Sequence, residues 1–368
     1  MLLAPAVVIN GVRWLVPALC MVAPSPLIFC LIQILQLVKP ALGNKTFEFI
    51  DEVIWSSFQR TVLCFFSNMN GTKAVFSGDY KEFFNTKENV LVISNHQTNV
   101  DWICMNMLTL RAKAMGKVRY MQKDELKYIP LFGLYFWQHG CINVGRHGSF
   151  KESKTVYQLN YLRNCNIPTW LVIFPEGTRY NPDKPTVLAK SKQFASNNGL
   201  PLLEHALSPR YRGTFLALRE LHNHVQSVYD ITIAYESTRH LSRDGQYERI
   251  QAPGMVEFIQ SYSPKLHINI KKIKVADIPH TDKLALTRWL HSCYERKDRM
   301  MAKFMEKGKF VEGDTHYEPV TSWAQTLPYS CLFLSITALT LWHPYGRRSY
   351  IVATSLGGLA GIVWMKFH

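Results

Sequence analysis

The feature that most limits how this chain can fold is the uneven distribution of its charged residues. Residues 1–38 contain one charged residue and residues 327–368 contain three, and neither stretch contains Asp or Glu. All 27 acidic residues and all but four of the 42 basic residues therefore lie between two apolar ends. Apolar segments of this length are typical of membrane helices. We expect membrane segments at both ends and a charged, folded domain between them.

The N-terminal apolar segment, Trp14 to Val38, is predicted to be a retained membrane anchor. It is longer than the apolar part of a cleaved signal peptide, and Arg13 is the only charged residue before it. Near the other end, Leu327–Trp342 and Tyr350–Met365 are two apolar runs, each about 24 Å long as a helix. They predict a helical hairpin that either spans the membrane or re-enters it from one face. The predicted division is an anchor (1–40), a central domain (41–326) and a membrane hairpin (327–368).

The charge balance favours anionic partners. The formal net charge is +15 at pH 7, and an excess of cations on a folded domain attracts phosphorylated molecules and membrane headgroups. The basic residues are scattered, without an RNP-type or C₂H₂ pattern, so nucleic acid is not an expected partner. The eight cysteines contain no CxxC pair, which indicates neither a zinc site nor a disulfide framework.

The central domain alternates short apolar runs with helix-length segments. The runs that we predict as strands are 89–93, 118–121, 141–144, 169–174 and 229–235. Continuous apolar strands interleaved with helices predict an α/β fold, with a mostly parallel sheet flanked by helices. Lys265–Ile273 alternates charged and apolar residues, which predicts an edge strand, and Asp282–Phe304 predicts a long basic helix. Ligands of such a sheet bind beyond the carboxyl ends of the strands.

The first candidate site follows the strand at 89–93 and reads Asn95-His96-Gln97-Thr98-Asn99-Val100-Asp101. A helix that begins near Thr98 or Asn99 places Asp101 in its first turn. From there the carboxylate can reach one imidazole nitrogen of His96, which leaves the other nitrogen to take a proton from a hydroxyl. Thr98-x-x-Asp101 is equally typical of a helix capping box. This motif alone leaves the choice between capping and catalysis open.

The second candidate site follows the next buried run, Trp170–Phe174, and reads Pro175-Glu176-Gly177-Thr178-Arg179. Gly177 allows backbone to approach a ligand closely, and the planar guanidinium of Arg179 suits a phosphate. Such a turn is common in loops. Together with the His96 motif it is far more specific.

The two motifs resemble the glycerolipid acyltransferase family, and within it the 1-acylglycerol-3-phosphate acyltransferases. The likeness covers residues from about 60 to about 240, the expected core of an acyltransferase domain at 41–326. Two intermediate segments also resemble the family, one beginning at Lys123 and the other ending at Arg146. One departure is the strand Val228–Tyr235, which contains Asp230 where family members often carry a proline-containing motif. The resemblance implies that His96 and Asp101 are catalytic and that the substrate-binding residues are Asn95, Lys123, Arg146, Glu176, Gly177 and Arg179.

The resemblance also implies a reaction. His96 takes the proton from the sn-2 hydroxyl of lysophosphatidic acid while that oxygen attacks the thioester of acyl-CoA, and phosphatidic acid forms. No metal or other cofactor is expected beyond acyl-CoA as co-substrate. Backbone N–H groups after Asn95 are expected to stabilise the oxyanion. The expected location is the endoplasmic reticulum membrane, with mitochondrial and nuclear-envelope membranes as alternatives.

Three other functions stay open on the sequence. The chain could acylate another lysophospholipid, such as lysocardiolipin or lysophosphatidylcholine, or act as a transacylase. It could also be a non-catalytic scaffold that binds lipid. A serine hydrolase is not favoured, since the sequence has no Gly-x-Ser-x-Gly motif.

Overall fold

The structure, a computed structural model, describes residues 14–145, 150–261, 263–311 and 317–367. These residues form two compact units, each built from separate stretches of chain. The first, which we call the helical unit, contains the described parts of 1–69, 114–167 and 321–368. The second, which we call the sheet unit, contains the described parts of 70–113 and 168–320.

The strands are β1 (Lys73–Gly78), β2 (Val90–Ser94), β3 (Val118–Lys123), β4 (Ile142–Val144), β5 (Trp170–Ile173), β6 (Ser227–Tyr235), β7 (Arg239–Leu241), β8 (Tyr247–Arg249), β9 (Lys265–Lys274) and β10 (Glu318–Pro319). The α-helices are α1 (Leu15–Val22), α2 (Ser25–Leu42), α3 (Asn44–Leu63), α4 (Tyr80–Asn85), α5 (Asp101–Arg111), α6 (Phe132–Gln138), α7 (Glu152–Asn164), α8 (Pro185–Asn197), α9 (Tyr211–Leu221), α10 (Met255–Gln260), α11 (Lys283–Lys307), α12 (Trp323–Trp342), α13 (Pro344–Val352) and α14 (Gly358–Phe367).

The sheet unit contains a sheet in the order β10-β1-β9-β6-β2-β5. The pairs β1–β9, β2–β6 and β2–β5 are parallel, whereas β6–β9 and β1–β10 are antiparallel. In the helical unit β3 and β4 also pair in parallel. The predicted α/β fold with a mostly parallel sheet is therefore confirmed. A separate antiparallel hairpin is formed by β7 and β8.

Strand β2 lies inside the sheet, which explains its composition. All five of its residues are buried, as is usual for a strand covered on both faces, and its β-branched side chains suit an extended backbone. In the register, Ile93 pairs with Ile173 of β5. The loops that follow β2 and β5 therefore start side by side at the same edge of the sheet. These loops carry the two sequence motifs.

The prediction that Lys265–Ile273 is an edge strand is wrong. Strand β9 lies between β1 and β6 and pairs with both. Its first part is buried, and the alternation with lysines comes from its last residues, which extend past the end of β1. There the ammonium group of Lys272 lies 2.8 Å from a carboxylate oxygen of Glu82. The sequence pattern of β1 had not indicated a strand, so the neighbour on that side was missing from the prediction.

Helix α11 confirms the predicted long basic helix and ends three residues beyond the predicted Phe304. Asp282 caps its N-terminus by accepting hydrogen bonds from Leu284 N–H at 2.8 Å and Ala285 N–H at 3.1 Å. Gly308 follows the helix with φ of +72°, a conformation that favours glycine at a helix end. The helix packs against β6, where fully buried Lys297 pairs with Asp230. This ion pair accounts for an acid inside an otherwise apolar strand.

The helical unit carries the apolar ends. Among the described residues, three helical segments are long and apolar enough to cross a membrane, namely Leu15–Leu42, Trp323–Trp342 and Pro344–Phe367. Within this unit α3 packs against α2 and α12. Helix α13 begins at Pro344, so most of residues 343–349, which lie between the two predicted C-terminal runs, are themselves helical. Membrane association through apolar helices at both ends is thus supported by length and composition.

Candidate active site

The carboxylate of Asp101 organises the loop between β2 and α5. Asp101 is the first residue of α5 and is 1% exposed. Its Oδ2 atom accepts a hydrogen bond from His96 Nδ1 at 2.7 Å. The same oxygen accepts the backbone N–H groups of Gln97 at 2.6 Å and Thr98 at 3.0 Å. Asp101 therefore lies in the first helical turn, as predicted, and there the helix dipole also stabilises its negative charge.

One ring nitrogen of His96 is held by a hydrogen bond, and the other has no hydrogen-bond partner among the described residues. A carboxylate only accepts hydrogen bonds, so Nδ1 carries the proton that it shares with Asp101. The ring packs on Phe174, with centroids 4.6 Å apart, and 22% of the side chain is exposed. Nε2 makes no hydrogen bond to any residue that the structure describes. In the neutral ring that nitrogen has a lone pair available to a proton, as a general base requires.

Strand β6 anchors the backbone beside His96. Asn95 Nδ2 donates to the Ile233 carbonyl at 2.9 Å, and Asn95 Oδ1 accepts the Ile233 N–H at 2.9 Å. Gln97 Nε2 donates to the same carbonyl at 2.7 Å. Residues on both sides of His96 are thus tied to one residue of β6. The contacts of Asn95 are structural, and its role in substrate binding stays a prediction.

The two sequence motifs are joined by hydrogen bonds on both sides of the His96 peptide unit. The His96 N–H donates to Glu176 Oε1 at 2.9 Å. The His96 carbonyl accepts the backbone N–H of Tyr180 at 2.8 Å. The turn after β5 therefore fixes the backbone position of His96, while Asp101 fixes the orientation of its ring.

Glu176 is itself almost completely buried, with 3% of its surface exposed. Burial raises the pKa of its carboxyl group to about 8, although the N–H groups of His96 and Leu207 oppose the shift. Its Oε2 atom has no hydrogen-bond partner among the described residues. Glu176 thus supports the His96 loop from a buried position.

The exposed part of the second motif is Gly177-Thr178-Arg179. Gly177 has φ of +66°, and a Cβ atom there would meet only Arg210 Cγ at 3.9 Å. The conformation, rather than lack of space, explains the glycine. Arg179 forms no ion pair with any residue in the described part of the chain. Its guanidinium is therefore available to an anion next to the turn that holds His96.

The structure changes two interpretations of the loop after Asn95. Thr98 is not the helix cap, because α5 begins at Asp101 and the Thr98 hydroxyl donates to the Pro253 carbonyl at 2.6 Å. The N–H groups of His96, Gln97 and Thr98 are engaged, because the carboxyl groups of Glu176 and Asp101 accept all three of them. These three donors hold the loop's own backbone in place. Stabilisation of an oxyanion by other backbone N–H groups after Asn95 stays a prediction.

Sequence reasoning missed two side chains that contact the loop. Tyr235, the last residue of β6, donates its hydroxyl to Asp101 Oδ1 at 2.6 Å. Arg249, in β8, donates to Gln97 Oε1 at 2.7 Å and lies over the Tyr180 ring at 3.9 Å. A polar tip at the end of an apolar strand could have drawn attention to Tyr235. No local pattern distinguishes Arg249.

The predicted site residues do not all lie in the sheet unit. Asn95, His96, Asp101, Glu176, Gly177 and Arg179 belong to the sheet unit, where the hydrogen bonds above connect the two motifs. Lys123 is the exposed last residue of β3 in the helical unit. Arg146 lies outside the described residues. The phosphate-binding roles of these two basic residues stay predictions.

Comparison with known proteins places both motifs in one family. Residues 78–236 match the family model described as Acyltransferase, and residues 258–330 match that described as Acyltransferase C-terminus. The sequence is 35% identical to 1-acyl-sn-glycerol-3-phosphate acyltransferase epsilon of Mus musculus, over 99% of this chain and 99% of the relative. The chain belongs to the acyltransferase family. The resemblance seen in the motifs is confirmed.

Further matches extend the comparison to plants and bacteria. The acyltransferase is 30% identical to probable 1-acyl-sn-glycerol-3-phosphate acyltransferase 5 of Arabidopsis thaliana, over 82% of its length and 72% of the relative. Among solved structures it is similar to the 1-acyl-sn-glycerophosphate (LPA) acyltransferase PlsC of Thermotoga maritima, with a TM-score of 0.43 and 15% identity over 82% of this chain and 98% of that one.

Proposed function

We propose that the acyltransferase transfers an acyl group from acyl-CoA to the sn-2 hydroxyl of lysophosphatidic acid, producing phosphatidic acid. The observation that carries the proposal is the His96–Asp101 pair, in which Asp101 holds Nδ1 at 2.7 Å and Nε2 is left without a partner among the described residues. A lipid-binding scaffold has no need of a base oriented in this way. An enzyme that must deprotonate a hydroxyl does.

The reaction proceeds by direct transfer. His96 Nε2 takes the proton of the acceptor hydroxyl as its oxygen bonds to the thioester carbonyl carbon. The tetrahedral intermediate collapses, the carbon–sulfur bond breaks, and the coenzyme A thiolate takes up the proton from His96. Asp101 keeps the ring in one tautomer and stabilises the imidazolium between the two steps. General-base catalysis of this kind typically contributes about 10²- to 10⁴-fold.

The choice of acceptor rests on charge and on the relatives. The mouse and Arabidopsis relatives are named for 1-acyl-sn-glycerol-3-phosphate as acceptor. Exposed Arg179 offers a planar fork that matches a phosphomonoester, and Gly177 leaves backbone accessible beside it. The roles in phosphate binding that the family resemblance implies for Lys123 and Arg146 are part of the proposal. The net charge of +15 suits two anionic substrates.

The apolar helices support a site of action at a membrane, where a lysolipid and a long-chain acyl-CoA are found. We propose the endoplasmic reticulum membrane as the location. The division into an anchor (1–40), an acyltransferase domain (41–326) and a C-terminal hairpin (327–368) is part of the same proposal.

The test is an acceptor panel with the full chain in lipid nanodiscs. Labelled acyl-CoA is supplied with lysophosphatidic acid, lysophosphatidylcholine or lysocardiolipin, and the His96→Ala chain provides the background. We expect label to enter phosphatidic acid with the highest kcat/KM. Preference for another lysolipid would overturn the acceptor, and transfer from a diacyl phospholipid without acyl-CoA would identify a transacylase. Turnover equal to the His96→Ala background with every acceptor would contradict the proposal and favour a non-catalytic scaffold that binds lipid.

A further inference from the structure

The second carboxylate oxygen of Asp101 has a partner of its own. Tyr235 donates its hydroxyl to Oδ1 at 2.6 Å, whereas His96 and the loop amides all bind Oδ2. Tyr235 is 1% exposed and Asp101 is 1% exposed. The contact is therefore shielded from water. In such a buried position a hydrogen bond to a charged group is stronger than on the surface.

The direction of this hydrogen bond is determined by chemistry. Burial raises the pKa of the Tyr235 hydroxyl well above its ordinary value, so the group keeps its proton and donates it to the carboxylate. The Tyr235 oxygen also lies 3.4 Å from Cys104 Sγ. Burial raises the pKa of Cys104 to about 12, so this thiol stays protonated and donates to the tyrosine oxygen. Both donors, the Cys104 thiol and the Tyr235 hydroxyl, therefore point toward the Asp101 carboxylate.

The fold holds the Tyr235 ring in place. Tyr235 is the last residue of β6, which runs parallel to β2 with Ile231 opposite Ser94. Its ring meets Phe258 edge-on, with centroids 6.3 Å apart, and its carbonyl accepts the hydroxyl of Thr238 at 2.7 Å. Asp101 is thus held from its own loop through Oδ2 and from a neighbouring strand through Oδ1.

We propose that Tyr235 is a positioning residue for the acyl transfer, acting on His96 through Asp101. The inference rests on the proposed function. Tyr235 fixes the carboxylate plane so that Oδ2 meets His96 Nδ1, and it disperses part of the negative charge of Asp101. Without it the carboxylate rotates more freely and binds the protonated form of His96 more tightly. Since His96 must lose that proton before it can act as a base, the acid side of the pH profile moves to higher pH.

The test compares Tyr235→Phe with Tyr229→Phe. Both residues lie on the same face of β6 and both are buried, but they are six residues apart, about 20 Å along the strand. We expect Tyr235→Phe to lower kcat about tenfold, the size expected for one hydrogen bond to a charged group, with KM for both substrates within about twofold. The acid limb of kcat/KM against pH should move up by about half a unit or more. Tyr229→Phe should leave the rate and the profile unchanged.

Two results would overturn the inference while leaving the proposed function intact. One is an unchanged rate and pH profile in Tyr235→Phe. The other is a loss of rate that is equal at every pH and accompanied by a fall in thermal stability, which indicates a packing role only. Absence of acyl transfer in the unmodified chain would instead remove the proposed function itself.

Discussion

In the part of the chain that the structure describes, two histidines pair with a buried aspartate, and the pairs differ in what surrounds the second nitrogen of the ring. In the sheet unit, His96 Nδ1 lies 2.7 Å from Asp101. In the helical unit, His139 Nδ1 lies 2.5 Å from Asp51. The carboxylate contact is nearly the same in the two pairs. On that measure alone either could be a catalytic dyad.

The remaining contacts of His139 make its pair structural. Its Nε2 lies 2.9 Å from the Val118 carbonyl, and its ring stacks on Trp55 with centroids 3.9 Å apart. The side chain is fully buried, and this burial lowers the pKa of His139 while the nearby Asp51 opposes the shift. With both nitrogens engaged, the ring cannot exchange a proton with a substrate. The Asp51–His139 pair joins α3 to the residue that follows α6, and the Val118 carbonyl adds a contact with the start of β3.

His96 retains the freedom that His139 lacks. It is 22% exposed, against 0% for His139, and its Nε2 is unengaged among the described residues. The comparison shows that a carboxylate contact does not by itself indicate catalysis. An accessible second nitrogen is the distinguishing feature.

The largest effect should come from His96→Ala, which removes the proposed base. We expect acyl transfer to fall by about 10²- to 10⁴-fold, with thermal stability and membrane association retained. The measurement is initial rate with lysophosphatidic acid and acyl-CoA. His240→Ala, which alters an exposed histidine of β7, is the control and should retain full activity. Full activity in His96→Ala would remove the distinction between the two pairs.

The next effect should come from Asp101→Asn, which keeps the size of the side chain. An amide cannot supply the charge that stabilises the imidazolium, and its NH₂ group can donate to Nδ1 and so favour the wrong tautomer of His96. We expect kcat to fall on the order of 10²-fold, with a smaller change in melting temperature. The measurement is kcat at saturating substrates.

Asp51→Asn is the matched substitution in the other pair. We expect it to lower the free energy of unfolding by about 1–3 kcal/mol, because a buried hydrogen bond to a charged group is weakened. The folded protein should keep kcat within about twofold. A selective loss of kcat in this variant, with normal stability, would show that the His139 pair also takes part in the reaction.

The smallest effect concerns Glu176, whose carboxyl contacts the backbone of His96 rather than its ring. Its pKa is about 8 in the folded chain and 4.5 ordinarily, so between these pH values the folded state holds a proton that the unfolded state has lost. The free energy of unfolding should therefore fall as pH rises from 4.5 to 8. Glu176→Gln keeps the accepting oxygen and should flatten this dependence. Thermal unfolding in detergent from pH 5 to 9 measures it, and parallel curves for the two chains would contradict it.

Local patterns predicted the parts of the site that depend on neighbours in sequence. Asp101 lies five residues after His96, so a strand followed directly by a helix can bring the two side chains together, as it does here. The motif at Glu176–Arg179 likewise follows its strand directly. By contrast, the pairing of Asp51 with His139 spans 88 residues, and no local pattern indicates it.

Sheet order was the main element that the sequence left undetermined. Strand β9 was predicted at an edge because its lysines alternate with apolar residues. It lies inside the sheet because β1, which is almost 200 residues earlier, pairs with it. That pairing covers only part of β9, and the alternating lysines lie in the remainder. Hydrogen bonds between distant strands leave little trace in the alternation of either one.

By itself the sequence determined the fold class, the apolar ends, the family, and the positions of His96 after a strand and Asp101 in the first turn of a helix, since each depends on residues close together in the chain. Tertiary structure alone decided which histidine is left with an unengaged nitrogen, and which groups hold the His96 loop. Glu176, Ile233 and Tyr235 reach that loop from two other strands or their ends. The physical reason is that a buried polar group is defined by all its partners at once, and the chain brings those partners together only when the sheet has formed.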